Sequence, residues 1–386
     1  MKEIASIVRG WKQLELSRTP AVLATVVKVA GSAYRHPGAR VLVSGQGIVA
    51  GNVSGGCLEA DVLERATAVL NSGQPCVVRY DTSSDNDLVL GTGMGCGGVV
   101  DILVEAAGSD TVRKLMTMLT RCCEERHPTA VATVYAISGT LDVRIGDRVI
   151  LTADSVERSG LTNSALYATV IRDLREVLRS RQTSSKTYTT PEGAVDLLLE
   201  YVRPPVGLAI FGAGDDAFPL YCLAESLSWQ VTIVDHRPTR VKRERFPKAA
   251  SLVVWAPHES ATSFEAEPFE ATVVMTHNYL RDLELLAFLL PSTAKYIGLL
   301  GATKRADRLL ADLSKRGLKP TDKQLSRLFA PVGLDLGAEG PWEIALSIAA
   351  EIQAVLTGAP AHSLRDRQRI RKEIATGYAS HDIGRG

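Results

Sequence analysis

The stretch "VGLAIFGAGDDAFPLYCLAESLSWQVTIVDHRP", residues 206–238, decides the class of the fold. It reads as strand, glycine turn, helix and strand. Gly212, Gly214 and Ala217 stand at G-x-G-x-x-A spacing in the turn, and Asp235 ends the next apolar run 23 residues after Gly212. In a nucleotide-binding βαβ unit the glycines allow a tight turn and close approach to a pyrophosphate, and the acid lies near a ribose. Strand-like segments recur at "SLVVWAP", "ATVVMTHN" and "KYIGLLGA", each trailed by polar or helical text. Residues 204–358 are therefore expected to form a Rossmann-like, mostly parallel sheet, with Gly212, Gly214, Asp235 and His277 as candidate cofactor contacts. His277 reads equally as a site residue or a local cap. Asp215 and Asp216 suit a helix N-terminus but repel an approaching anion.

Upstream, the chain repeats itself. "ATVVKVAGSAYRHPGARV" (24–41) resembles "ATVYAISGTLDVRIGDRV" (132–149) at an offset of 108, which pairs Gly31 with Gly139, Arg40 with Arg148, and Tyr80 with Tyr188. "VDILVE" (100–105) resembles "VDLLLE" (195–200) at an offset of 95, so the second copy lacks 13 residues. Each copy, about 20–106 and about 128–201, reads as strands, a helix and a terminal strand. The expectation is an α/β protein: an N-terminal α/β half, residues 1–203, built from two similar repeats, then the Rossmann-like domain and a polar tail at 359–386.

The differences between copies point to chemistry. Ser54-Gly55-Gly56-Cys57 in the first becomes Thr162-Asn163-Ser164-Ala165 in the second, and the missing residues fall where the first copy holds "GTGMGCGG" (91–98). A scaffold that needed these loops to fold would keep them twice. Ser-Gly-Gly before a helix presents N–H groups to an anion, and the same field favours a Cys57 thiolate. A small buried thiol behind a glycine turn is the alternative. Five glycines around Cys96 suit backbone that wraps a ligand. Two thiolates in one cleft could hold a soft metal centre or carry sulfur, which makes Cys57 and Cys96 candidate metal-binding and catalytic residues. Arg35, absent from the second copy, is the better oxyanion contact. Arg40 recurs as Arg148 and reads as structural. Cys76, Cys122 and Cys123 also read as structural.

Charge is balanced, 44 Lys plus Arg against 43 Asp plus Glu, which gives no reason to expect a nucleic-acid partner. No uncharged apolar run approaches membrane-spanning length, and the first residues form an amphipathic surface helix, so the expected location is the cytoplasm.

Taken with "GNVSGGCLEADV", "IFGAGDDAFPL", "VVMTHNYLRDLELL", "YIGLLGATKR" and "PVGLDLGAEGPWEIALSIAAEI", these blocks resemble the XdhC/CoxI family of accessory proteins for molybdenum hydroxylases, in order from the N-terminus to about residue 358. The resemblance implies binding of the molybdenum cofactor (molybdopterin), help in exchanging a metal-bound oxo group for sulfide, and delivery to the large subunit of a xanthine or carbon monoxide dehydrogenase. Under it, Cys57 and Cys96 hold or protect the molybdenum end, Gly55, Gly56 and Arg35 receive the phosphate or backbone oxygens, and Ser54, Gly95 and Gly97 are further candidate cofactor contacts. A cysteine desulfurase and a second copy of the chain are further partners it suggests, and the Rossmann turn leaves room for a dinucleotide. Asp215 departs from the family's pattern, which has histidine after Gly-Ala-Gly. The competing reading is an NAD(P)-dependent oxidoreductase with Cys57 as nucleophile, for which no substrate constellation is visible in the sequence.

Overall fold

A computed structural model describes residues 2–56, 58–81, 98–161, 164–255 and 269–366. The chain divides into two compact units, Met1–Pro205 and Val206–Gly386. No described helix is long and apolar enough to cross a membrane.

The first unit opens with helix α1 (Lys2–Ser17), then β1 (Ala21–Gly31), β2 (Arg40–Ser44), β3 (Gly47–Gly51), α2 (Glu59–Ser72), β4 (Cys76–Asp81) and β5 (Gly98–Ala106). Helix α3 (Asp110–Glu124) leads to the second copy: β6 (Thr129–Gly139), β7 (Arg148–Leu151), β8 (Val156–Ser159), α4 (Ser164–Ser180), β9 (Ser184–Thr190) and β10 (Gly193–Val202). Each copy is a five-stranded sheet of one topology, β3-β2-β1-β5-β4 and β8-β7-β6-β10-β9. Every pairing within them is antiparallel.

Both faces of each sheet are covered, which explains the near-continuous apolar runs of β1 and β6. Val22, Ala24, Val26 and Ile102 pack with Val62 and Val69 of α2. Their counterparts Ala130, Ala132 and Val134 pack with Val170 and Leu174 of α4. The opposite faces meet one another. A β-bulge shifts the register at Val27 in one copy and at Tyr135 in the other, and these two residues cluster with Leu103 and Leu198. Helices α1 and α3 cover the rest of that layer.

The repeat is locked by two exchanged ion pairs. Arg40 reaches across to Glu200, with Nη1 at 2.7 Å from Oε1 and Nη2 on Oε2. Arg148 does the same to Glu105, with Nη1 at 2.9 Å from Oε1. All four side chains are buried. Each arginine also donates to the carbonyl two residues before it, Gly38 or Gly146. Those glycines are obligatory: both have positive φ, and a Cβ would lie 2.8 Å from Glu200 Oε1 or 2.5 Å from Glu105 Oε1.

The second unit contains β11 (Gly207–Phe211), α5 (Ala217–Ser226), β12 (Gln230–Asp235), β13 (Ser251–Val254), β14 (Ala271–Val274), α6 (Tyr279–Leu289), β15 (Tyr296–Leu299), α7 (Thr303–Lys315), the short α8 (Asp322–Leu325), β16 (Leu328–Phe329) and α9 (Pro341–Thr357). Its sheet runs β13-β12-β11-β14-β15-β16, parallel throughout. Strand order reverses direction between β11 and β14, which is where doubly wound sheets open a crevice. Apolar clusters on the two sides of the sheet pair it with α5 and α9 on one face and α6 and α7 on the other.

Candidate functional site

In the first copy, register brings five strand ends together. Gly31 pairs with Gly98, Asp81 with Val99, Thr25 with Arg40 and Val41 with Gly51. The described segments 32–39 and 52–56 therefore leave the sheet from the same end, the end at which β4 stops at Asp81 and β5 begins at Gly98. In the second copy the matching end is closed between Thr190 and Gly193 by a tight turn through Pro191 and Glu192. Cys57, Gly95, Cys96 and Gly97 lie outside the described residues.

The Ser-Gly-Gly loop is built around a carboxylate. Glu59, first residue of α2, accepts from the amides of Val53 (3.1 Å) and Ser54 (2.9 Å) and from the Ser54 hydroxyl. Ser54 Oγ in turn accepts from the amides of Gly56 and Leu58, each at 3.0 Å. Burial works against the Glu59 charge, but the Ser54 and Val53 donors outweigh it and hold the carboxyl below its ordinary range. The expected anion site thus differs from a row of open amides, because four of them already serve Glu59 and Ser54. What the loop still offers is bare Cα surface. Gly56, at φ +115°, has open space where a Cβ would stand, and the Gly55 position faces the exposed Tyr34 ring at 4.0 Å.

Arg35 is paired with Glu3 of α1, whose other oxygen accepts from the Arg40 amide at 3.2 Å. Arg35 Nε is buried without a hydrogen-bond partner. Glu3, Tyr34, Arg35, His36 and Ala39 are among the residues lining a cavity of about 270 Å³. Sequence reasoning misses both Glu3 and Glu59. Glu59 is discernible as the first acid of an expected helix behind a serine, the kind of acid that satisfies helix-terminal donors. Glu3 is not, since it comes from an element 32 residues away.

The four described cysteines form no disulfide, and they contrast with a reactive thiol. Burial pushes the Cys122 thiol up to about 12, and burial also raises Cys76, Cys123 and Cys222.

In the second unit the glycine turn is present and occupied by its own side chains. Gly212 sits at φ +119°, where a Cβ would meet the Met275 carbonyl oxygen at 2.4 Å, so the residue is fixed by close approach of β11 and β14. Asp235 accepts from the Ala213 amide at 2.7 Å, from the Arg237 amide at 2.9 Å, and from Arg237 Nε and Nη2 at 2.9 and 2.7 Å. His236 Nδ1 lies 3.0 Å from the same carboxylate. A carboxylate has about four lone-pair positions, so none remains for a ribose hydroxyl. Burial opposes its charge, yet Arg237 and the two amides hold the Asp235 carboxyl low. A dinucleotide ribose does not fit this arrangement.

Asp215 is met by Arg240 at 3.0 Å and Arg245 at 2.7 Å, and Arg245 also grips the carbonyls of Ala213 and Gly214. Gly214 leaves no room for a side chain beside Asp216 Oδ1. His277, in a left-handed conformation at φ 56°, places Nε2 2.6 Å from Asp216 Oδ2. The cap of α6 is Asn278, which accepts from the Arg281 amide, so His277 is not the cap. Among the described residues no cluster of three or more His, Cys, Asp or Glu could hold a metal.

Comparison with known proteins joins the two units. Residues 15–81 match the XdhC and CoxI family, and residues 208–352 match the XdhC Rossmann domain. The chain is 33% identical over 332 residues to a probable xanthine dehydrogenase subunit of Bacillus subtilis, covering 86% of this chain and 92% of that one. It is 25% identical to the "Molybdenum cofactor insertion chaperone PaoD" of Escherichia coli, covering 91% and 88%. A solved structure described as a xanthine dehydrogenase from Bacillus halodurans superposes with a TM-score of 0.72 at 30% identity, covering 93% of this chain and 98% of that one. The doubled antiparallel unit, the doubly wound sheet and these full-length likenesses together place the chain in the XdhC and CoxI family.

Proposed function

We propose that this chain binds the molybdenum cofactor and assists its insertion into a molybdenum hydroxylase of the xanthine dehydrogenase type, in the cytoplasm. The observation that carries the reading is the asymmetry of the repeat. Two sheets of identical topology end in different loops, and the loops with the cysteines and glycines occur once. The likeness to an insertion chaperone supports the same direction.

A phosphate-bearing pterin fits the groups at that end. Arg35 brings an unpartnered, buried Nε to a cavity, and Gly55 and Gly56 leave backbone surface that a planar ring or phosphate can approach. Cys57 and Cys96 supply the soft donors for molybdenum. When bound, the cofactor supplies a metal centre whose oxo group is exchangeable for sulfide. The chain's part is to hold the phosphate end with Arg35, keep the glycine backbone preorganised through Ser54 and Glu59, and shield the metal end. A cysteine desulfurase as sulfur donor, a hydroxylase large subunit as recipient and a second copy of the chain complete the proposal.

The test is composition. Protein purified from cells grown with molybdate should yield oxidised-pterin fluorescence and molybdenum in near-equal amounts, and Cys57→Ala should lower both. Absence of pterin from the wild-type chain under those conditions overturns the reading. The oxidoreductase alternative is favoured only by the strand order of the second unit. It requires NADH or NADPH to bind, and the saturated Asp235 predicts no binding to the wild-type chain.

A further inference from the structure

The second copy provides an internal control for what keeps the first copy's loop end open. The ends of the two turns, 36–39 and 144–147, share their backbone hydrogen bonds. The Val26 amide donates to Ala39 O as the Val134 amide does to Asp147 O, and the Gly38 and Gly146 amides donate back to the carbonyls of Val26 and Val134. The amides of Ala39 and Asp147 donate to His36 O and Arg144 O respectively. Ala39 and Asp147 therefore hold the same place in the two turns. Ala39 packs in the cluster that contains Val53, and Asp147 accepts from the amide of Leu161, which stands 108 residues after Val53.

The side chains then diverge. The buried Asp147 carboxylate ties two loops together by accepting from the Arg144 amide at 2.9 Å and from the Leu161 amide, and it presses on Gly160, where a Cβ would lie 2.0 Å from its carboxyl carbon. In the first copy the amide of Val53 still receives a carboxylate, but from Glu59 on the helix behind it. The turn carrying Arg35 then meets the glycine loop without a carboxylate of its own, through Ala39 in the cluster with Val53 and Tyr34 at 4.0 Å from the Gly55 position, and Ala39 contributes only a methyl group to the cavity beside Arg35.

We infer that Ala39 is the gate residue of the cofactor site: the exchange of a turn-borne carboxylate (Asp147) for a helix-borne one (Glu59) leaves the first copy open to a ligand and the second sealed. The inference rests on the proposed cofactor reading. It assigns specificity to a residue that offers no chemistry of its own, by removal of an obstruction.

The experiment restores the bulk of the turn-borne side chain but not its contact with Gly160, because the first copy has Asn52 at the corresponding offset. Ala39→Asp alone would set a second carboxylate beside Glu59, so Ala39→Asp/Glu59→Gln is the main variant, with Ala39→Asn as an uncharged companion and Ala39→Ser as the conservative control. Each is purified from molybdate-grown cells, checked for a wild-type circular dichroism spectrum and cooperative melting, and assayed for oxidised-pterin fluorescence per chain. The expected result is a fall of about tenfold or more in pterin for the double variant and for Ala39→Asn, with Ala39→Ser near wild type. Folded double variant and Ala39→Asn proteins that both keep the wild-type pterin load overturn the inference while leaving the cofactor reading intact. A wild-type chain without pterin instead removes the reading on which the inference rests.

Discussion

Two buried carboxylates, each accepting from two backbone amides, are shifted in opposite directions. Glu59 is held below its ordinary range by the donors around it, so its contribution to stability is complete above the unfolded carboxyl pKa of about 4.3 and is lost as pH falls through the lower folded value. Asp147 is raised by burial, which outweighs its two amide donors. Its contribution is therefore complete below the unfolded pKa and is lost as pH rises through the folded one. In acid-to-neutral melting series, Glu59→Gln should flatten the acid limb, whereas Asp147→Asn should improve relative stability toward neutral pH. Parallel curves for both variants and the wild type would show that neither charge is linked to folding. The thiols give a second residue-scale test. With four described cysteines raised by burial, Cys57 should be alkylated first at neutral pH, ahead of Cys76, Cys122, Cys123 and Cys222, as read by mass spectrometry of timed samples. A Cys57 no faster than these four contradicts its assignment. Arg35 and Ser54 are visible in the sequence as differences between the copies. Of the carboxylates that engage them, Glu59 is discernible as the first acid of the helix behind the serine, whereas Glu3 is not, because an acid on a distant helix carries no signal of where its oxygens point.

At the scale of elements, the exchanged ion pairs decide how the two copies associate. Arg40→Met alone strands Glu200 in a buried position and should cost about 3–5 kcal/mol in urea unfolding. Arg40→Met/Glu200→Leu removes both charges, and buried pairs replaced in this way are often neutral or better, so most of the loss should return. A double variant as unstable as the single one would mean that the pair contributes more than charge compensation. The repeat itself is legible from gapless spacing, and so are the strands, α2 and α4. Antiparallel pairing and the exchange of arginines are not, since Arg40 and Glu200 are 160 residues apart. In the second unit the glycine spacing and Asp235 announce the doubly wound sheet, and the strand order agrees. Ligand preference does not follow from that pattern. Arg237, two residues beyond the acid, occupies the lone pairs that the motif reserves for a ribose. Arg237→Ala should therefore create measurable NADH binding by fluorescence titration where the wild type has none. NADH binding equal in both would show that Asp235 is available despite its partners.

For the whole molecule, the proposed function has one sheet of a duplicated pair carry the cofactor chemistry while the other is scaffold. The second copy demonstrates that this topology closes without residues 82–97: β9 and β10 pair from Thr190 to Gly193 and continue in register to Ser184 and Leu199. The most direct measurement is the pterin content of a chain in which residues 82–97 are replaced by the Thr-Pro-Glu of positions 190–192. That variant should fold with wild-type secondary structure and cooperative unfolding, because β4 and β5 then meet as β9 and β10 do, and it should carry no pterin after purification from molybdate-grown cells. A folded loop-exchanged chain with the same pterin per mole as the wild type would contradict the account.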